Sequence, residues 1–171
     1  MPKTFTRFAS PLGDLILTAS DTALTGVYFP TSRHVPLLHG GERESGGEAH
    51  GPAGEVLARA RQQLTEYFAR TRTAFDLPLE PVGSAFQRRV WDALCTIPYG
   101  ATLSYSALAR RLGDPRATRA VAAANAKNPI PVIVPCHRVV GANGALTGFG
   151  GGLDRKRWLL EHEGALMALG S

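Results

Sequence analysis

The chain reads as an α/β (α+β) protein in two parts. A small N-terminal β-sheet domain with a packing helix is expected over residues 1–83, and a mostly helical C-terminal domain over residues 84–171. Three observations predict this. Strand-type runs open the chain, helical periodicity dominates after Ser84, and the charge divides at the same place. Residues 1–83 hold 8 Lys/Arg against 9 Asp/Glu, whereas residues 84–171 hold 11 against 5. A basic excess confined to one half points to a polyanionic partner, because neutralised phosphates release counterions. A solvated basic face is the plainer alternative.

Residues 4–9, 14–19 and 24–29 are rich in Thr, Val, Ile, Leu and Phe, with turn formers in Ser10-Pro11-Leu12-Gly13-Asp14 and Ser20-Asp21-Thr22. They predict an antiparallel meander. Residues 30–53 carry Pro30, Pro36, Gly40-Gly41, Gly46-Gly47, Gly51 and Pro52, so a surface loop is expected there. Its histidines, His34, His39 and His50, are a poor zinc set, since zinc demands tight geometry. From Glu55 to Arg70, Val56, Leu57, Ala60, Leu64, Tyr67 and Phe68 recur at helical spacing and form one apolar face. Residues 74–77 are a candidate strand. Pro78 and Pro81 mark a linker, which puts the domain boundary near Val82-Gly83.

Ser84 and Gln87 fit a capping box, followed by the stripe Phe86, Val90, Trp91 and Leu94. Cys95 near the end of that helix is expected to be a packed small hydrophobe. Ser104 suits the cap of a second helix with Ala107, Leu108 and Leu112 inward, ended by Gly113. Asp114-Pro115 suits the start of a third, running to about Lys127. Helix, short glycine turn, helix is the pattern of a helix-turn-helix. The third helix is nearly bare of bulk: Ala117, Ala120, Ala122, Ala123, Ala124 and Ala126, with Arg116, Arg119 and Lys127 as its charges. Close packing explains such smallness, and so does a helix pressed against a nucleic-acid backbone.

The chemistry concentrates in Ile130-Pro131-Val132-Ile133-Val134-Pro135-Cys136-His137-Arg138-Val139-Val140. An apolar, β-type run delivers a cysteine beside a histidine, and an imidazole can raise the thiolate fraction of a neighbouring thiol. Taken alone, Cys136-His137 reads equally as a buried structural cysteine. Glu163, expected in the last turn of a helix, is disfavoured there by the helix dipole, which points to a partner. Only Cys95 and Cys136 occur, so no disulfide framework exists. No membrane-length apolar run, signal-type start, dinucleotide fingerprint or phosphate-binding loop is present. A cytoplasmic protein is expected.

The string Asn128-Pro129 … Pro135-Cys136-His137-Arg138-Val139 … Gly148-Phe149-Gly150-Gly151-Gly152 … Lys156-Arg157-Trp158 … His162-Glu163-Gly164 resembles the O6-alkylguanine-DNA alkyltransferases, strongly over residues 84–171 and loosely before. That resemblance implies a ribonuclease H-like N-terminal domain and a winged helix-turn-helix-like C-terminal one. It implies single-turnover transfer of an alkyl group from O6 of a flipped guanine to Cys136, with no metal and no cofactor. His137 would be the base, acting through a water, and Glu163 would orient it. Asn128 would be a hinge, and Tyr105 would donate a hydrogen bond to the departing guanine. The carbonyls of Val139 and Cys136 would take the guanine amino group.

Pro131, Phe149, Gly150 and Gly151 would line the pocket, with Lys156 at its rim. Phe149 and Gly150 stand where some relatives have Tyr and Ser, so a serine side-chain contact is missing and only the Gly150 N–H remains for O6. Arg119 would fill the gap left by the extruded base in the minor groove, with Ala117, Thr118, Ala120, Lys127 and Arg138 also on the DNA. The implied partner is double-stranded DNA, met by a monomer. O4-alkylthymine as a second substrate and cooperativity on DNA stay open. A lesion-recognition protein without chemistry and a cysteine hydrolase are the rival readings. Cys136 argues against the first, because recognition-only relatives carry Trp there.

Overall fold

A computed structural model describes residues 4–31, 43–44 and 51–166. The chain divides into two compact units, Met1–Val82 and Gly83–Ser171.

In the first unit, β1 (Thr4–Ser10), β2 (Gly13–Ala19) and β3 (Leu24–Tyr28) form the expected antiparallel meander. The β1–β2 turn is held by Ser10, whose Oγ accepts from the Leu12 N–H at 3.0 Å and donates to the Gly13 carbonyl at 2.6 Å. The sheet order is β3-β2-β1-β4, where β4 (Arg43–Glu44) runs parallel to β1 inside the stretch expected to be loop. The three loop histidines considered for zinc lie outside the described residues.

Helix α1 (Gly51–Phe68) packs on this sheet and starts before the expected Glu55, because Pro52 falls in the first turn, where a missing N–H costs nothing. Leu57, Ala60, Leu64 and Tyr67 are buried as the spacing predicts. Burying each such leucine contributes roughly 1.5–3 kcal/mol. The candidate strand at 74–77 does not form. Gln63 of α1 takes the Asp76 backbone, its Nε2 donating to the Asp76 carbonyl and its Oε1 accepting the Asp76 N–H, both at 2.9 Å. The sheet edge is met instead at an isolated Leu24–Leu79 bridge.

In the second unit, α2 (Ala85–Leu94) begins with the full capping box. Ser84 Oγ accepts from Gln87 N, and Gln87 Oε1 accepts from Ser84 N. Val90, Trp91 and Leu94 are buried, and the Trp91 indole donates to the Ala124 carbonyl at 2.9 Å, which ties α2 to α4 (Thr118–Ala126). Cys95 is exposed rather than packed, because it caps α2 after the apolar stripe has ended.

Helix α3 (Tyr105–Arg111) is capped by Ser104, whose Oγ accepts from Ala107 N. Gly113, at φ +83°, supplies the left-handed turn that ends it. Helix α4 starts at Thr118, later than expected. Asp114 accepts from Arg116 N instead of capping the helix, so residues 114–117 form a separate turn. Strands β5 (Leu103–Ser104) and β6 (Val139–Val140) pair in parallel, and α5 (Leu153–His162) closes the described chain.

Candidate active site

The run Ile130–Val134 is not a strand. Val134 N donates to the Ile130 carbonyl at 2.9 Å, and the chain doubles back through Val132 at φ +72°. Positive φ is costly for a β-branched residue and persists only where the surroundings over-determine it. Here Asn128 bridges the turn. Its Nδ2 donates to the Val134 carbonyl at 2.8 Å, and its Oδ1 accepts the Ile130 N–H at 3.0 Å. Pro131 and every other residue from Ile130 to Val140 are buried. The turn hands the chain to a single 3-10 turn, Cys136–Arg138, and then to β6.

Cys136 is buried. Burial pushes its thiol up to about 11, against a hydrogen bond from Asn128, the positive charge of Lys156 and the backbone around the sulfur. Proximity to an imidazole therefore does not leave a standing thiolate, and the proton must be removed during reaction.

His137 is fully buried, and its Nε2 lies 2.8 Å from Glu163 Oε2. Burial lowers the pKa of the ring, outweighing the raising influence of Glu163. Burial also pushes the Glu163 carboxyl up, but hydrogen bonds from His137 and Arg138 overcome this and hold it at about 2. A neutral imidazole beside a carboxylate must donate through Nε2–H, which leaves Nδ1 as the acceptor. His137 Nδ1 is buried and has no hydrogen-bond partner among the described residues. The arrangement is a base with its lone pair free and its tautomer fixed by an acid.

Arg138 is a correction. It was expected on DNA, yet it is buried, with Nε donating to Glu163 Oε1 at 2.8 Å, Nη2 to Glu163 Oε2 at 3.0 Å and Nη1 to the Ile97 carbonyl at 2.6 Å. The guanidinium fork matches the carboxylate and spends its donors inside the unit. Glu163, the residue capping α5, thus receives both His137 and Arg138.

Lys156 is likewise no rim residue. It is fully buried on α5, and its ammonium donates to the carbonyls of Val139 and Thr147, each at 2.6 Å. Burial lowers its pKa to about 8, and the Cys136 sulfur is the group that opposes this. Tyr105 Oη donates to the same Thr147 carbonyl at 2.9 Å, and the β5–β6 pairing, Leu103 against Val139 and Ser104 against Val140, brings the start of α3 alongside β6. Phe149 is half-buried, Gly150 exposed and Gly151 buried, on a segment that turns through Gly148 at φ +64° and Gly152 at φ +94°. A Cβ on Gly148 would stand 3.0 Å from the Tyr105 hydroxyl, so only glycine fits there comfortably.

On α4 and its two caps, Arg119, Ala120 and Lys127 are exposed and Ala117 and Thr118 half-buried. Sequence reasoning passed over Asn125 on the same helix. It is buried, and its Nδ2 donates to the Cys136 carbonyl at 3.4 Å. Its signal was one polar amide in a run of alanines on the face that Val121 and Ala124 bury.

Comparison with known proteins agrees with this geometry. Residues 85–165 match the family described as "6-O-methylguanine DNA methyltransferase, DNA binding domain", and residues 4–81 match its "ribonuclease-like domain". The chain belongs to the 6-O-methylguanine DNA methyltransferase family. It is 48% identical over 154 residues to the methylated-DNA–protein-cysteine methyltransferase of Mycolicibacterium paratuberculosis, covering 90% of this chain and 88% of that protein. It is 42% identical over 158 residues to the protein of that name from Methanosarcina acetivorans, covering 92% and 96%. The crystal structure of Mycobacterium tuberculosis OGT in complex with DNA superposes with a TM-score of 0.83 at 42% identity, over 95% of this chain and 93% of that one. The protein is accordingly a transferase of the methyltransferase family, and its second unit is the family's DNA-binding domain.

Among the described residues no helix is long and apolar enough to cross a membrane, and no cluster of His, Cys, Asp and Glu could hold a metal ion.

Proposed function

We propose that this chain repairs O6-alkylguanine in double-stranded DNA by taking the alkyl group onto Cys136 Sγ, irreversibly and once per molecule. The observation that carries the reading is a buried Cys136 followed by His137, whose imidazole is tied to Glu163 and through it to Arg138, in a unit of the family's DNA-binding type. His137 Nδ1 takes the thiol proton, relayed through a water, as sulfur attacks the alkyl carbon. The S–C bond forms, the C–O6 bond breaks, and the electron pair leaves on the guanine, to which the proton is finally returned. Glu163 stabilises the transient imidazolium, and Arg138 holds Glu163 ionised and aligned. The product is a thioether, which water does not cleave, so the protein is spent.

Charge develops on the leaving base, and a donor aimed there lowers the barrier. Tyr105 supplies it after exchanging its Thr147 carbonyl for the base. The carbonyls of Cys136 and Val139 accept the guanine amino group, and the Gly150 N–H reaches O6. Lys156 provides the positive charge nearest the sulfur. Pro131, Phe149 and Gly151 complete the pocket wall. Helix α4 enters the minor groove, where Ala117, Thr118 and Ala120 let it approach the backbone and Lys127 meets phosphate. Arg119 fills the space of the extruded base and offsets part of an unstacking cost of a few kcal/mol or so. The protein acts as a monomer in the cytoplasm, with residues 1–83 as the ribonuclease-like domain and 84–171 as the reacting one.

The test is stoichiometric. A known amount of protein is mixed with excess duplex bearing labelled O6-methylguanine, and the label is counted and mapped by peptide mass. One methyl per chain, on Cys136, is the expected result. Tight binding without transfer would mark a recognition protein, and many turnovers would mark a hydrolase.

A further inference from the structure

Asn125 is 1% exposed, and its two amide atoms are treated unequally by the fold. Nδ2 donates to the Cys136 carbonyl at 3.4 Å and also faces the Tyr105 hydroxyl. Oδ1 is buried with no hydrogen-bond partner among the described residues. Flipping the amide does not relieve this, because it would set oxygen against the Cys136 carbonyl oxygen. An orphaned buried acceptor costs stability and calls for a reason. The neighbours supply one. The Val139 carbonyl already receives the Lys156 ammonium, and the Cys136 carbonyl already receives Asn125 itself. Among the described residues the Asn125 Oδ1 has no such donor, and the other open acceptor beside Cys136, His137 Nδ1, is committed to the thiol proton.

We infer that Asn125 is a specificity-determining residue of the base pocket, whose Oδ1 joins the Cys136 and Val139 carbonyls in accepting from the exocyclic amino group of the extruded O6-alkylguanine. This rests on the alkyl-transfer reading above. The chemistry of the base limits the donor. With O6 alkylated, N1 carries no hydrogen, so the 2-amino group is the only N–H donor left on the ring. A base without that amino group leaves Oδ1 buried and unpaired in the complex. A site built to hydrogen-bond a substrate N–H rejects analogues that lack it more strongly than an apolar site does.

The experiment compares single-turnover transfer rates on O6-methylguanine and on O6-methylhypoxanthine, which differs only by the missing 2-amino group, in the same duplex. Full-length wild type, Asn125→Leu and Asn125→Ala are assayed. The leucine keeps the volume and loses both polar atoms, and the alanine keeps the helix should leucine fail to fold. The guanine-to-hypoxanthine rate ratio is expected to fall about tenfold in the variants, the size of one lost buried hydrogen bond. Loss of the Nδ2 bond to Cys136 slows both substrates together and leaves the ratio alone. A ratio unchanged from wild type in the variants would overturn the inference and reduce Asn125 to a structural residue. If wild type transfers from neither base, the alkyltransferase reading itself has failed, which is a different result.

Discussion

Arg119 and Arg138 belong to the same basic unit, and the fold uses them in opposite ways. Arg119 stands exposed on α4, a helix whose outer positions are mostly alanine. Arg138 lies in the interior, forked onto Glu163 and anchored on the Ile97 carbonyl. A net basic charge therefore overstates the surface available to a polyanion, since one of its members neutralises a buried acid. The same contrast separates the two jobs of the unit. Chemistry is done by groups that are desolvated and mutually paired, where electrostatics are strong. On the proposed reading, DNA is met by groups that stay exposed, as Arg119 is.

The contrast can be broken by substitution. Cys136→Ala has the largest expected effect. Transfer of label should vanish while duplex affinity, followed by fluorescence anisotropy, stays nearly as it was. Residual transfer would put the nucleophile elsewhere. Arg138→Ala should come next, because it strands Glu163 as a buried unpaired charge. About 3–5 kcal/mol of unfolding free energy should be lost in urea titration, with no change in the salt dependence of DNA binding beyond that of the lost fold. A shallower salt slope in a still-folded variant would return Arg138 to the DNA.

Glu163→Gln sharpens the chemical side. The imidazolium of His137 loses its stabilising charge, so thiol alkylation near neutral pH should slow. Its rate should recover only as pH climbs toward the thiol's own value of about 11. An unmoved profile would dissolve the relay.

The wild-type protein carries a related signature. Glu163 is held at about 2 when folded, below its ordinary 4.5, so it binds more protons unfolded than folded between those values. Its stabilising contribution is complete above pH 4.5 and is lost as pH falls toward 2. Thermal melts across that window should show the loss in wild type and lack that component in Glu163→Gln. Arg119→Ala has the smallest effect on stability, within about 0.5 kcal/mol. It should slow repair of duplex DNA more than reaction with free O6-benzylguanine, and equal slowing of both would remove its place in the base stack.

Much of this was legible in the chain. The meander over Thr4–Tyr28, the capping box at Ser84–Gln87 and the glycine stop at Gly113 are local effects, decided by pleat alternation, side-chain oxygens within reach of their own backbone, and a φ that only glycine adopts cheaply. The string around Cys136, with Glu163 downstream, was enough to resemble one family. What could not be read was where each polar group finds its partner. The turn at Val132 looked like a strand because β-branched residues favour both burial and extension, and only Asn128 reaching across it decides otherwise.

The sequence by itself thus determined most of the elements, the division into a neutral and a basic half, and the nucleophile with its neighbour. Tertiary structure alone decided that Arg138 faces inward, that Lys156 is a buried cation between two carbonyls, and that the Asn125 oxygen has no partner among the described residues. The physical reason is range. Propensity and capping act within a few residues, whereas desolvation and pairing depend on α5 and Ile97 meeting the 3-10 turn from far along the chain.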